Sequence, residues 1–290
     1  MVHSGRRGLI SAPPIDRGFA RLSEGLVHYR HVGASVEGLP LVLLHASPGS
    51  SRGLEPLLTA LAETGSAPRL LAPDTLGHGE SAVAGPDVPD IAYYAESLGR
   101  FLDVVGVDKV AVYGAHTGAR IACEAAILFP GRITHVILDG IADYEEPLRS
   151  ELIESYAPEM VPDDYGRHLI WAFNFVRDQA LHFPYYQRTP SHRLMSRAVP
   201  GADDLHTASL DVLKSIRTYH KAYRAAFRYP TRERLALCPC PVSMLDVMTE
   251  LPSLRAAMAS LAAAANATII SGGDRLATRA SAIISQLATD

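Results

Sequence analysis

Short, strongly apolar runs recur through this chain, separated by stretches of helical periodicity, and that alternation restricts it to one class of architecture. Pro40-Leu41-Val42-Leu43-Leu44-His45 and Lys109-Val110-Ala111-Val112-Tyr113 are continuous apolar runs, as expected of strands buried on both faces. Arg69 to Pro73 and Ile133 to Leu138 are shorter strand signals of the same kind, and Leu26 to Val32 roughly alternates like a half-buried strand. Between them, Leu57 to Glu63, Ile91 to Val105 and Ala119 to Phe129 carry helical periodicity. Pro56 suits the first turn of one helix, and Pro130-Gly131 stops another. Strands alternating with helices imply a parallel sheet covered by helices on both faces.

The interval from about Asp143 to Leu237 breaks this rhythm. It has no buried-strand run, is helical in character, and is rich in Tyr, Phe, His and Arg. It exceeds any ordinary loop, so it is expected to be a helical cap inserted between two strands. The core would then be residues 1–142 and 238–290, with the cap at 143–237. Pro241 to Leu245 resumes the strand pattern, followed by a helix over Leu254 to Ala265, a strand at Ala267 to Ile270 and a helix over Leu276 to Leu287.

With 290 residues, 48 % of them hydrophobic, the chain can bury one large core plus an insertion. A formal net charge of -4 argues against nucleic acid as a partner, since phosphate binding needs a clustered basic face. Arg6-Arg7 precede an apolar patch broken at once by Ser11 and Pro13-Pro14, unlike a signal peptide. The apolar stretch Ala256 to Ile270 is too short to span a bilayer. A cytoplasmic, soluble protein is expected, with no membrane partner. Cys238-Pro239-Cys240 has neither zinc-knuckle nor CxxC spacing, and Cys123 reads as core packing.

Three short motifs follow one another along the strands. His45-Ala46-Ser47-Pro48-Gly49 comes directly after a buried strand. Asp74-Thr75-Leu76-Gly77-His78-Gly79-Glu80-Ser81 follows the next. Gly114-Ala115-His116-Thr117-Gly118-Ala119 joins a strand to a helix. With these three in order, the chain resembles the α/β-hydrolase superfamily along nearly its whole length. The motifs are similar to that family's HGxPG oxyanion loop, its DxxGxGxS loop and its GxSxG nucleophile elbow. The resemblance implies the α/β-hydrolase fold: a mostly parallel central sheet flanked by helices, with the helical cap inserted after the sixth core strand. It also implies an oxyanion hole made by the backbone N–H groups of Ser47 and Thr117, which do not depend on side chains.

The departures lie at the chemistry. His116 stands at the elbow position where the family keeps its nucleophile. The family's acid position falls at Glu250, with Asp246 nearby, and its histidine position, after Ser271-Gly272-Gly273, falls at Asp274. The last of the 12 histidines is His220, so the family's usual histidine has no source in residues 221–290. The resemblance therefore implies an imidazole with carboxylate partners, Asp274 or Glu250, as an acid–base pair. A carboxylate would raise the His116 pKa and the helix N-terminus would lower it. A neutral imidazole beside two backbone donors suits deprotonation next to a carbonyl, with the enolate held in the oxyanion hole. Epimerisation, elimination, C–C cleavage and cyclisation fall in this set, as does activation of water against an ester or lactone.

A structural alternative stands beside each residue. Against its functional reading, His116 is also read as an elbow that has lost its nucleophile in a protein that only binds. Asp274 suits a helix N-cap and Glu250 a helix start. His45 reads as structural, and His78 as structural or at the cavity rim. In the cap, His168, Trp171, Arg177, Tyr185 and His220 are candidate substrate contacts, or else a packing face with solvated charges. No dinucleotide fingerprint or P-loop is present, and no HxxxH ligand pair supports a metal, so neither cofactor nor metal is expected. A small-molecule substrate is the expected partner, and a homodimer is allowed.

Overall fold

The computed structural model describes residues 14–33, 38–194, 198–246, 252–273 and 275–287, with the backbone alone at 252–254. Its strands are β1 (Asp16–Leu22), β2 (Gly25–Val32), β3 (Leu41–Leu44), β4 (Leu70–Pro73), β5 (Val110–Ala115), β6 (Ile133–Asp139), β7 (Val242–Asp246) and β8 (Thr268–Ser271). They form one 8-stranded sheet in the order β1-β2-β4-β3-β5-β6-β7-β8. β2 pairs antiparallel with β1 and β4, and every later pair is parallel. This is the α/β-hydrolase fold.

The continuous apolar runs are explained by two separate cores. On β3, Val42 and Leu44 face one cluster while Leu41 and Leu43 face the other. On β5, Val110 and Val112 divide from Ala111 and Tyr113 in the same way. Period-two side chains with both faces covered leave no position for a polar residue. Helices α1 (Glu55–Ala62), α2 (Ile91–Val104) and α3 (Thr117–Leu128) alternate with these strands. Asp90 caps α2 by accepting the Tyr93 N–H at 2.8 Å.

One strand has no counterpart in the sequence expectations. β1, with the sequence DRGFARL, buries only Ala20 and Leu22 and forms an edge of the sheet, so its outward positions carry Asp16, Arg17 and Arg21. Charges of this kind hide an edge strand from an apolar search and also discourage pairing with other chains.

Between β6 and β7 the chain forms α4 (Leu148–Ser155), α5 (Arg167–Leu181), α6 (Ala202–Lys214), α7 (Tyr219–Arg228) and α8 (Thr231–Leu235). These helices have an apolar cluster of their own, including Leu152, Tyr156, Phe175, Tyr185, Val212, Tyr219 and Tyr223. They are tied to the loops that follow β3 and β4. Arg52 pairs with Asp211 at 3.0 Å, and the Thr218 hydroxyl donates to the Gly77 carbonyl at 2.5 Å. After β7 come α9 (Pro252–Ala264) and, after β8, α10 (Leu276–Leu287).

Candidate active site

His116 joins β5 to α3 in one residue, with φ 48° and ψ -101°. Among the described residues, only His116 and Asn266 have positive φ without being glycine. Such a conformation costs on the order of 1–3 kcal/mol and persists only where the surroundings enforce it. They do so here by close approach. A Cβ at Gly114 would stand 2.2 Å from the Gly118 carbonyl oxygen, and one at Gly118 would stand 2.4 Å from the Leu44 carbonyl oxygen. The two glycines let the turn close against β3. The His116 N–H donates to the Asp139 carbonyl at 2.8 Å, and the buried Arg120 donates to the His116 carbonyl at 3.1 Å and to that of Ala142 at 2.6 Å.

The His116 side chain remains accessible to solvent, yet burial is the leading cause of a lowered pKa. The ring projects from the elbow at the carboxyl ends of the strands. It packs over Gly140, whose Cβ, were there one, would meet Cε1 of His116 at 2.6 Å and Nδ1 at 2.9 Å. The Arg120 guanidinium lowers the pKa further. The Asp139 carboxylate and a backbone hydrogen bond to Gly140 oppose the shift without reversing it. The balance favours the neutral ring.

Asp139, the last residue of β6, is the carboxylate that sequence reasoning missed. Its Oδ2 accepts from the Tyr113 hydroxyl at 2.6 Å and from Arg279 of α10 at 3.2 Å. Tyr113 is pushed well above its ordinary pKa by burial and by this carboxylate, so it remains a donor. A signal was available: ligands in open α/β sheets bind outside the carboxyl ends of the strands, and Asp139 ends an apolar run. Glu250 and Asp274, the carboxylates expected beside His116, lie outside the described residues.

Ser47 and Thr117 are both buried, and Thr117 opens α3, so its N–H has no intrahelical acceptor. The loop carrying Ser47 is held by His45. That ring accepts the Thr75 N–H at Nε2, 2.9 Å, which leaves the proton on Nδ1 to donate to the Ala46 carbonyl at 3.0 Å. Asp74 accepts the N–H groups of Ser51 at 2.7 Å and Glu80 at 3.0 Å, and meets His28 Nδ1 at 2.9 Å. These hydrogen bonds hold Asp74 far below the usual carboxylate range against the opposing effect of burial. His78 packs near His45 with ring centroids 5.5 Å apart, and burial depresses its pKa to about 3.

The cap candidates divide. Trp171 stacks on Phe175 at 4.7 Å, and Tyr185 meets Phe175 edge-on at 4.8 Å, so both belong to the aromatic cluster of α4–α8. His168 accepts the Asp163 N–H at 3.2 Å, closing the turn before α5. Arg177 is paired with its neighbour Asp178 at 2.9 Å. His220, largely buried, lies 3.6 Å from Glu159, and burial lowers its pKa more than Glu159 raises it. No group of three or more His, Cys, Asp or Glu suited to a metal occurs among the described residues. No helix among them is long and apolar enough to cross a membrane.

A strained elbow at the carboxyl end of β5, in a sheet of this order, defines the class, and the comparisons agree. The alpha/beta hydrolase fold family matches residues 40–229, and the chain belongs to it. An uncharacterized hydrolase of Saccharomyces cerevisiae is 33 % identical over 126 residues, covering 42 % of this chain and 41 % of that protein. The chain spans 11 % and 41 % of the length of the first curated relatives it matches. A hydrolase from Pseudomonas aeruginosa superposes with a TM-score of 0.70 at 18 % identity, covering 95 % of this chain and 99 % of its own. Epoxide Hydrolase A from Mycobacterium thermoresistibile gives 0.68 at 19 % identity, covering 96 % and 98 %.

Proposed function

We propose that this protein is an enzyme acting on a small carbonyl, ester or lactone metabolite by acid–base chemistry at His116, with no covalent serine intermediate. The observation that carries the reading is a neutral, accessible imidazole in strained backbone geometry at the start of α3, beside Asp139. The free base takes a proton from a carbon next to the substrate carbonyl, or from water attacking an ester. The negative charge gathers on the carbonyl oxygen, where the N–H groups of Ser47 and Thr117 receive it. The imidazolium, favoured by Asp139, then returns the proton, to the other face of the carbon, to a leaving group or to the product. General-base assistance of this kind is worth about 10²–10⁴-fold. Residues 143–237 serve as the cap over the site, and Asp274 and Glu250 are further candidates for orienting the ring. The setting is cytoplasmic, without cofactor or nucleic acid.

A second reading, a catalytically silent protein that binds a ligand or partner, draws on Asp139 itself. Its Oδ2 is engaged by Tyr113 and Arg279, which suits a structural anchor. The two separate by assay of the parent and His116→Ala against esters, lactones and β-keto compounds. Turnover in the parent that is lost in the variant supports the enzyme. No turnover, with a ligand-induced rise in Tm, supports the binder. Stoichiometric labelling of an elbow residue by a serine-directed fluorophosphonate would overturn both.

A further inference from the structure

Away from His116, the cysteines form a group of their own. Cys238 and Cys240 flank Pro239 in the segment that carries the chain from α8 back to β7. Their Sγ atoms stand 3.8 Å apart, and both side chains are partly exposed. Two positions apart, their Cα atoms are separated by at most about 7 Å, within the limit for a bridge without backbone rearrangement. Cys123 lies buried in α3, near enough to both for their charges to interact.

We propose that Cys238 and Cys240 are a redox modification site, a dithiol that hydrogen peroxide converts to an intrachain disulfide. The Cys238 thiolate attacks one peroxide oxygen, the O–O bond breaks, and the leaving hydroxide takes a proton to become water. The sulfur of Cys240 then attacks the resulting sulfenic acid at Cys238, the S–O bond breaks, and the thiol proton leaves with the hydroxide as a second water. Two thiols are oxidised by two electrons, and the peroxide is reduced to two waters.

The surroundings assign the roles. The two sulfurs are in hydrogen-bonding contact, with either able to donate, and with the proton on Cys240 that bond, together with a backbone one, favours the thiolate at 238. Cys240 is the resolving thiol, already in contact. Cys123 is excluded as the attacking group, since burial pushes its pKa to about 12 and leaves it a thiol. The bridge closes within the joint that returns the chain from α8 to the sheet. The inference does not depend on the chemistry at His116.

The test is the intact mass and thiol titre of the full chain before and after a small excess of hydrogen peroxide. The parent is expected to lose about 2 Da and two of its three thiols, and to regain both with dithiothreitol. Peptide mapping should place the bridge between 238 and 240, and Cys123→Ser should behave as the parent does. In Cys240→Ser, dimedone should trap a sulfenic acid at Cys238, and Cys238→Ser should give no such adduct. A parent that keeps all three thiols, a bridge that includes Cys123, or trapping at Cys240 in place of Cys238 would overturn the proposal.

Discussion

The backbone N–H of His116 donates to the carbonyl of Asp139 at 2.8 Å, and this bond fixes the elbow against the end of β6. The ring of His116 then lies over Gly140, the next residue, which has φ +67°. One strand end therefore supplies the carboxylate, the surface under the ring and the backbone anchor of the elbow.

Gly140 is irreplaceable by that geometry. In Gly140→Ala the new methyl would stand 2.6 Å from Cε1 of His116, in a backbone conformation that costs an L-residue about 1–2 kcal/mol. The ring must turn away. Activity is expected to fall by an order of magnitude or more, while Tm drops by only a few degrees. Kinetics and thermal melts on one preparation check this, and unchanged kcat would refute it.

The pH profile should respond to two neighbours with opposite sign. The proposed mechanism requires the base form of His116, so activity should be lost as pH falls through its pKa, which lies below the ordinary histidine value. Asp139 raises that pKa and Arg120 lowers it. Asp139→Asn should move the acid limb to lower pH, and Arg120→Met should move it to higher pH. Arg120→Lys keeps the charge and should leave the limb in place. Shifts in the same direction for both neutralising variants would rule out this electrostatic account.

Much of the frame was readable because burial writes directly into sequence. β3 and β5 are apolar at every position since Leu41 and Leu43 fill one core while Val42 and Leu44 fill the other. β1 was not readable, because its edge position admits Asp16, Arg17 and Arg21. Gly114 and Gly118 pointed to the elbow, and the close approaches at both bear on why they are glycines. Asp139 escaped because a carboxylate closing an apolar strand looks like the strand's end, while family positions drew attention to the loops after β7 and β8. The partners of Arg177 and His168 are set by local turns and neighbouring charges, which helical spacing does not report.

The cap reading of residues 143–237 rests on a separate apolar cluster and can be tested through it. Phe175 is 2 % exposed and packs against Trp171, Tyr185 and Tyr219. Phe175→Ala should cost about 3–5 kcal/mol. If the helices between β6 and β7 are a cap, that loss should be local. Limited proteolysis would then cut within 143–237 while the sheet survives as a protected core. Uniform cutting across the whole chain would show a single cooperative unit instead.

Acid should destabilise the fold through His78 before it reaches any carboxylate. His78 is 1 % exposed, and its pKa is depressed from 6.5 to about 3. Between those values the unfolded chain binds a proton that the native state does not, so stability falls as pH falls. The full window amounts to about 5 kcal/mol by the usual conversion of pKa shift to free energy. Asp74 extends the loss below its ordinary carboxylate value, since it too stays deprotonated in the fold while the unfolded chain takes up the proton. Urea unfolding at pH 7, 6 and 5 should therefore show falling midpoints. His78→Asn, which cannot titrate in this range, should lower stability at pH 7 but flatten its dependence on pH. A parent whose midpoint does not change across these pH values would mean that the folded and unfolded chains take up equal numbers of protons there, and would refute this account.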